Sequence, residues 1–405
     1  MNGAPVRNAR LAIRIGLLTH AFFAPVSIAG TQIGLAITGF GLCLAALRGW
    51  RPWRTPLDLP LAAFVAACVL SDVWSPFGPP DLGFATLWRS VAGVWIVAQA
   101  LAVLPEDAGS VLSFEAAGLA AAAAVGILQY RTGFDLPHAL GLRENVAWVE
   151  APGVPGRYGA MGFFISRLTF GHNATLVVAT LAGGLARFRQ RALPLAAIGL
   201  GLVAIGLTFD RAAYLGLFAA ALVLIAVSAP RARPWLAGAL AAALLAGALH
   251  PGVRERFRSS FDASRNADRV FLWERAREIV LDHPLRGIGF GNYPRVCGQY
   301  YDRVDPGFPM RTWAHNTFIS LYAETGPLGL AAFVWVLLAA GWAARREPGA
   351  LAAICAFVVI AQFHDVLYDT KVMYPLWLAI GLALRPQTSG AGSGETARAG
   401  GRTNP

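Results

Sequence analysis

Twelve apolar stretches recur along this 405-residue chain, near residues 11–29, 30–47, 57–74, 84–104, 110–130, 164–186, 193–209, 212–229, 235–250, 316–343, 349–366 and 371–385. A helix that crosses a bilayer needs about 20 mainly apolar residues, because its backbone polar groups must be satisfied within the segment itself. Repetition on this scale excludes a disordered chain, a collagen-like chain and a disulfide-stapled secreted module. The charge content agrees: 14% of residues are charged, against about a quarter in soluble domains. The fold expected is an all-α integral membrane protein of about twelve transmembrane helices. The first stretch is followed at once by a second and lacks a small-x-small cleavage site, so it reads as a span and not as a secretory signal.

Charge distribution orients the bundle. Lys371 is the one lysine among 34 basic residues, so the basic excess is arginine. The connections at Arg48–Arg54, Arg187–Arg191, Arg231–Arg233 and Arg345–Arg346 fall on one side by alternate counting, with Arg7, Arg10 and Arg14. The positive-inside rule makes that side, and both termini, cytoplasmic. Only the acidic connection at Glu106–Asp107 dissents. The opposite side carries the 131–163 segment, the turn at Asp210–Arg211, a long loop over 251–315 and the turn His364–Thr370. The chain therefore divides into a nine-helix bundle (1–250), a periplasmic loop (251–315), C-terminal helices (316–385) and a Gly/Ser/Thr-rich tail (386–405) expected to be disordered.

The 251–315 loop holds eleven arginines and eight acidic residues. Within it Val270, Phe271, Trp273, Ala276, Ile279 and Val280 recur at helical spacing, predicting an amphipathic helix over 268–282 capped by Asp268 and lying on the membrane surface or on the bundle. Cysteines and histidines are scattered without CxxC, HExxH or a Cys/His cluster, so neither a disulfide framework nor a protein-held metal is expected. The Gly287/Gly289/Gly291 run follows a helix and a proline, not a strand. It reads as a tight turn and not as a nucleotide loop.

Three polar stretches stand out in order: Thr208-Phe209-Asp210-Arg211-Ala212; Trp273-Glu274-Arg275 leading to Asp282-His283-Pro284-Leu285-Arg286-Gly287-Ile288-Gly289-Phe290-Gly291-Asn292; and His315-Asn316-Thr317-Phe318-Ile319 continuing to Glu324-Thr325-Gly326-Pro327-Leu328-Gly329. Over roughly 208–330 the chain resembles the O-antigen ligase and polymerase family of bacterial membrane glycosyltransferases. Two departures are visible. Asp210-Arg211-Ala212 stands where the family has Ser-Arg-Gly, placing a carboxylate beside the arginine, and Ile319 closes the histidine motif.

The resemblance implies a GT-C-like membrane enzyme of the inner membrane with its site at the periplasmic face. It would move a glycan from undecaprenyl diphosphate to lipid A-core oligosaccharide, or to a second carrier-linked glycan if it is a polymerase. No cofactor, metal or nucleic acid is expected to take part. A diphosphate leaving group needs cations and no general acid, and arginine binds phosphate bidentately. The acceptor hydroxyl needs a base, and histidine is poised near neutral pH. His315 is the candidate base. Arg211 is the first candidate for the diphosphate, followed by Arg269, Arg265 and Arg157, with Arg167 weaker. Asn316, Glu324 and Asp210 are expected to support the site. Glu324 lies nine residues beyond His315, on the opposite face of a continuous helix. Asp365 and Asp369 read as a solvated turn. A transporter or flippase of lipid-linked sugars is the competing class, but it calls for charges at the bilayer midplane.

Overall fold

A computed structural model describes residues 4–78, 81–142, 149–259, 267–301 and 313–386. It is all-helical, with no strands among the described residues. Helices α1 (Ala4–Phe23), α2 (Ile28–Ala46), α3 (Asp58–Trp74), α4 (Asp81–Val103), α5 (Ala108–Thr132) and the short α6 (Leu136–Ala139) come first. Then follow α7 (Arg167–Gly183), α8 (Ala192–Gly206), α9 (Arg211–Val227) and α10 (Arg233–Leu249). The connecting region contains α11 (Pro251–Arg258), α12 (Ala267–Asp282), α13 (Tyr293–Val296) and α14 (Gly298–Tyr301), and the chain closes with α15 (Thr317–Ala344), α16 (Pro348–Ala361) and α17 (Thr370–Leu384).

Each apolar stretch of the sequence contains one long helix. By length and composition alone, three segments suffice to cross a membrane: Ile28–Ala46, Pro105–Thr132 and Thr317–Ala344. The pair α10 and α11, bent by 86°, would make a fourth, and several other apolar helices are shorter. The first helix begins earlier than the apolar stretch, at Ala4, and ends before Pro25, where Ser27 caps α2 through the Gly30 N–H.

Polar contacts sort to the two ends of the bundle. At one end Glu347, nearly buried, receives Arg385 at 3.0 Å and also pairs with Arg187, joining three basic connections. The acidic connection that dissents from the charge rule lies there too: Arg10 pairs with Glu106 at 2.6 Å and Arg14 with Asp107 at 3.2 Å. Both of its acids thus pair with arginines of α1.

At the other end the 267–301 region folds onto α15 with a small core of its own. Leu272, Ala276 and Ile279 of α12 pack with Ile288, Tyr293, Val296 and Ala323. The helix starts at Ala267, so Asp268 falls inside its first turn and does not cap it. Of the residues expected on its apolar face, Val270 is exposed, and Leu272 takes the buried position instead. The glycine run makes the tight turn foreseen. Gly287 (φ 67°) and Gly326 (φ 65°) let two backbones touch: a Cβ on Gly287 would stand 2.2 Å from the Glu324 carbonyl oxygen, and one on Gly326 2.3 Å from that of Leu285. The break in α15 at Gly326, just before Pro327, thus receives the 285–289 turn, sealed by Ile288 N–H to Ala323 O at 3.0 Å and Gly289 N–H to Glu324 O at 2.9 Å.

Gly326→Ala should therefore undock this turn. A non-glycine residue at positive φ costs about 1–3 kcal/mol before any clash is counted. The measurement is the thermal midpoint of the detergent-solubilised protein, expected to fall by several degrees; an unchanged midpoint contradicts the close approach.

Candidate functional site

Four long helices begin at the same end of the bundle: α7 after Ser166, α9 after Asp210, α15 after Asn316 and α17 after Asp369. Each of these residues is an N-cap whose side chain accepts a backbone N–H. Beside the starts of α7, α15 and α17 lies a cavity of about 400 Å³, lined among others by Ser166, Thr169, His172, His315, His364 and Lys371. Helix N-termini carry positive partial charge, so this geometry alone favours an anion.

The Thr208–Arg211 turn is built with strain. Phe209 has φ 52°, and Phe209 and His315 are the two non-glycine residues at positive φ among the described residues. Arg167 holds the turn: its Nη1 donates to the carbonyls of Thr208 at 2.6 Å and Phe209 at 2.9 Å. Arg256, on α11, donates from Nε to the Phe209 carbonyl at 3.1 Å. Asp210 Oδ1 accepts from the Ala212 N–H at 3.1 Å, so the residue that replaces serine still performs a serine-like cap. Its Oδ2 lies 2.7 Å from His172 Nε2, with both side chains buried. Burial works against that carboxylate, but the charge and hydrogen bond of His172 outweigh it and hold Asp210 below the ordinary carboxylate range.

Arg211 opens α9 half-buried and interacts electrostatically with Arg256 and Arg269. Arg269 reaches the same place from α12, its guanidinium 5.5 Å from the Phe363 ring centre. Burial lowers the Arg269 pKa first, Asp210 raises it, and Arg256 lowers it again. Three guanidiniums from three separate elements therefore converge around one carboxylate that already has a partner.

His315 sits at φ 53°, just ahead of α15. Three fastenings hold it there. Trp273 Nε1 donates to the Ala314 carbonyl at 3.1 Å. Asn316 Oδ1 accepts from Phe318 N–H at 3.0 Å and Ile319 N–H at 3.1 Å, while its Nδ2 donates to Gln362 O at 3.0 Å. The Asp365 carboxylate accepts from Ser320 Oγ at 2.5 Å and from the backbone N–H groups of His315 and Asn316. Burial pushes Asp365 up to about 6 against those bonds. The His364 ring lies between two other histidines, 5.8 Å from His315 and 4.6 Å from His172. Burial and then His172 lower its pKa well below the usual histidine value.

Glu324 is fully buried on the face of α15 away from His315. It accepts from the Tyr293 N–H at 2.9 Å and from the Tyr368 hydroxyl, tying the glycine-rich turn and the 364–369 turn to one side chain.

The sequence candidates thus divide. Arg211, Arg269, Asp210, His315 and Asn316 come together at the N-terminal ends of α9 and α15. Arg157 lies outside the cluster, exposed, donating to the Arg131 carbonyl at 2.8 Å with its guanidinium 5.9 Å from the Tyr130 ring centre. Arg265 falls outside the described residues. Asp365 and Asp369 are not a solvated turn: Asp365 clamps the His315 turn, and Asp369 accepts from Thr169 at 2.8 Å. Sequence reasoning missed Arg256, His172 and His364. Arg256 was one of eleven arginines in its loop. His172 carried a usable signal, an ionisable residue followed by Asn173 inside an apolar stretch, which is rare unless the group has work to do. His172, Asp210 and His364 have ligand atoms within 4.8 Å of one another, the one such group among the described residues. The first two of these approach to 2.7 Å, and the surrounding guanidiniums oppose a cation.

Asn316→Asp keeps both cap acceptors but loses the donor to Gln362 and sets a second carboxylate against Asp365. Thermal stability should fall by about 1–2 kcal/mol, the scale of a lost buried hydrogen bond; calorimetry giving an unchanged value would mean that the Gln362 contact carries no weight.

The apolar helices indicate a helical membrane protein, with a cluster of arginines and histidines at one end of its bundle. Residues 195–334 match the family model described as O-Antigen ligase. With the match comes, in general terms, a ligase- or polymerase-type function. It takes in Arg211, Arg256, Arg269, His315 and Glu324, whereas His172, His364 and Asp365 come from outside it. No curated protein matches the chain.

Proposed function

We propose that the protein transfers a glycan from undecaprenyl diphosphate to the hydroxyl of an acceptor sugar at the periplasmic face of the inner membrane. The observation that carries this reading is the convergence of Arg211, Arg256 and Arg269 at the start of α9, with Arg269 and His315 both interacting with His364. Guanidiniums in a water-poor site stabilise the charge that develops on a departing diphosphate, and they do so without proton transfer. His315 takes the acceptor hydroxyl proton. The oxygen's electron pair forms the new bond to the anomeric carbon as the carbon–oxygen bond to phosphate breaks, and that electron pair leaves with the diphosphate. One displacement inverts the anomeric centre. The arginines supply the positive charge a metal would otherwise provide, so transfer should persist in a chelator.

In this reading the twelve long helices all span the membrane, with both termini cytoplasmic and the cavity facing the periplasm. The polarity of the two ends supports it: the ion-paired basic connections lie opposite the cavity. The acceptor is lipid A-core oligosaccharide if the enzyme is a ligase, and a carrier-linked repeat if it is a polymerase. Purified protein given carrier-linked glycan and each acceptor tests this. Glycan on core oligosaccharide supports ligation and chain growth without core supports polymerisation. Movement of the donor across vesicles with no new glycosidic bond would make it a transporter.

A further inference from the structure

One carboxylate stands inside the arginine cluster, and donor binding does not call for it. Asp210 interacts electrostatically with Arg211, Arg269 and Arg167, so an uncompensated charge there would weaken the field that a diphosphate needs. Capping α9 does not require the charge either, since serine caps a helix as well as aspartate does. What the carboxylate has is a dedicated partner from another helix. His172, on α7, meets it at 2.7 Å, and both side chains are almost wholly enclosed, 3% and 4% exposed. A carboxylate only accepts, so His172 Nε2 carries the hydrogen between them. The His364 ring lies 4.6 Å from that of His172.

We propose that His172 is a positioning residue of the donor site: by its close contact it holds the Asp210 side chain toward α7, away from Arg211 and Arg269, leaving those guanidiniums for the lipid diphosphate. The two residues act as a unit. Removing the histidine alone leaves a buried, unpaired carboxylate, which is costly and, here, misplaced. Removing the carboxylate together with the histidine restores the field. This inference rests on the glycan-transfer reading of the site, and it differs from shared coordination of a cation by His172, Asp210 and His364. Metal ligands about 2.0–2.1 Å from an ion lie roughly 3 Å or more from one another, whereas His172 Nε2 and Asp210 Oδ2 are 2.7 Å apart.

The experiment measures binding of undecaprenyl diphosphate to purified full-length protein in detergent, alongside transfer from carrier-linked glycan. H172Q should weaken binding by tenfold or more. The double variant H172Q/D210S, which keeps the α9 cap, should recover to within threefold of wild type. That recovery is something a purely structural histidine would not give, and it shows that H172Q is not simply misfolded. Binding by H172Q within threefold of wild type, or a double variant no better than H172Q, would overturn the proposal. So would loss of wild-type binding in EDTA together with one bound metal ion per chain. Wild-type protein that binds undecaprenyl diphosphate yet transfers nothing would count against the transfer reading and leave the pairing standing.

Discussion

His315→Ala is expected to lower glycan transfer by about 10²–10⁴-fold, the range that a positioned general base contributes, while the protein still inserts and still binds undecaprenyl diphosphate. The size follows from how much of the surrounding structure is spent on this one residue. A backbone at φ 53° is unfavourable for histidine, and it persists because the Asp365 carboxylate, the Trp273 indole and the Asn316 cap all hold the turn. Strain that the neighbourhood over-determines is a mark of a site whose geometry matters. Since Asp365 binds the backbone N–H groups and not the imidazole, the alanine variant keeps the turn and loses only the ring. Donor affinity within about threefold of wild type, no more than about one ordinary hydrogen bond, beside abolished transfer is the expected pattern. Near-normal transfer would remove His315 as the base.

Arg211→Lys is the second large effect. It keeps a positive charge at the start of α9 but replaces a planar, five-donor fork by a point charge. Bidentate, charge-assisted bonds to phosphate are about twice as strong as neutral ones. A hydrogen bond to a charged group is worth about 1.5–3 kcal/mol, so the loss in kcat/KM should be roughly 10–100-fold. Arg211→Ala should lose more, because it also removes the charge from a cluster that Arg256 and Arg269 share. Steady-state transfer at several donor concentrations checks both variants. Full activity in the lysine variant would show that geometry at this position is unimportant.

Much of this architecture is legible in the sequence, for reasons that can be named. Apolar stretches long enough for helices announce themselves by composition, so each long helix from α1 to α17 falls where the chain is apolar. The amphipathic helix near 268–282 shows in its spacing, and Leu272 entered its buried face only because α12 packs on α15 and not on a flat surface. His315, Arg211 and Arg269 are legible because they sit in or just beside ordered motifs of polar residues between apolar runs. Asp210 is legible as a departure, but its consequence is not: its partner lies 38 residues earlier on α7, and no spacing within either helix connects them. Arg256 and His364 are hidden for the same reason. One is an arginine among many in a basic loop, the other a histidine in a short turn, and only the packing of α11 and the 362–369 turn against α9 and α15 gives them neighbours. Arg167 shows the converse. It looks like a candidate for substrate, and the fold uses it on the backbone of the Phe209 turn.

The central claim, that cationic side chains and one base suffice to move a glycan off a lipid diphosphate, has a direct measurement. Purified protein in detergent is given carrier-linked glycan and acceptor in the presence of EDTA, and undecaprenyl diphosphate release is quantified together with the new glycosidic bond. The account predicts one diphosphate lipid released per bond formed, inverted configuration at the anomeric carbon, and no dependence on added metal. A retained configuration, or transfer that stops in chelator and returns with a divalent cation, would contradict it.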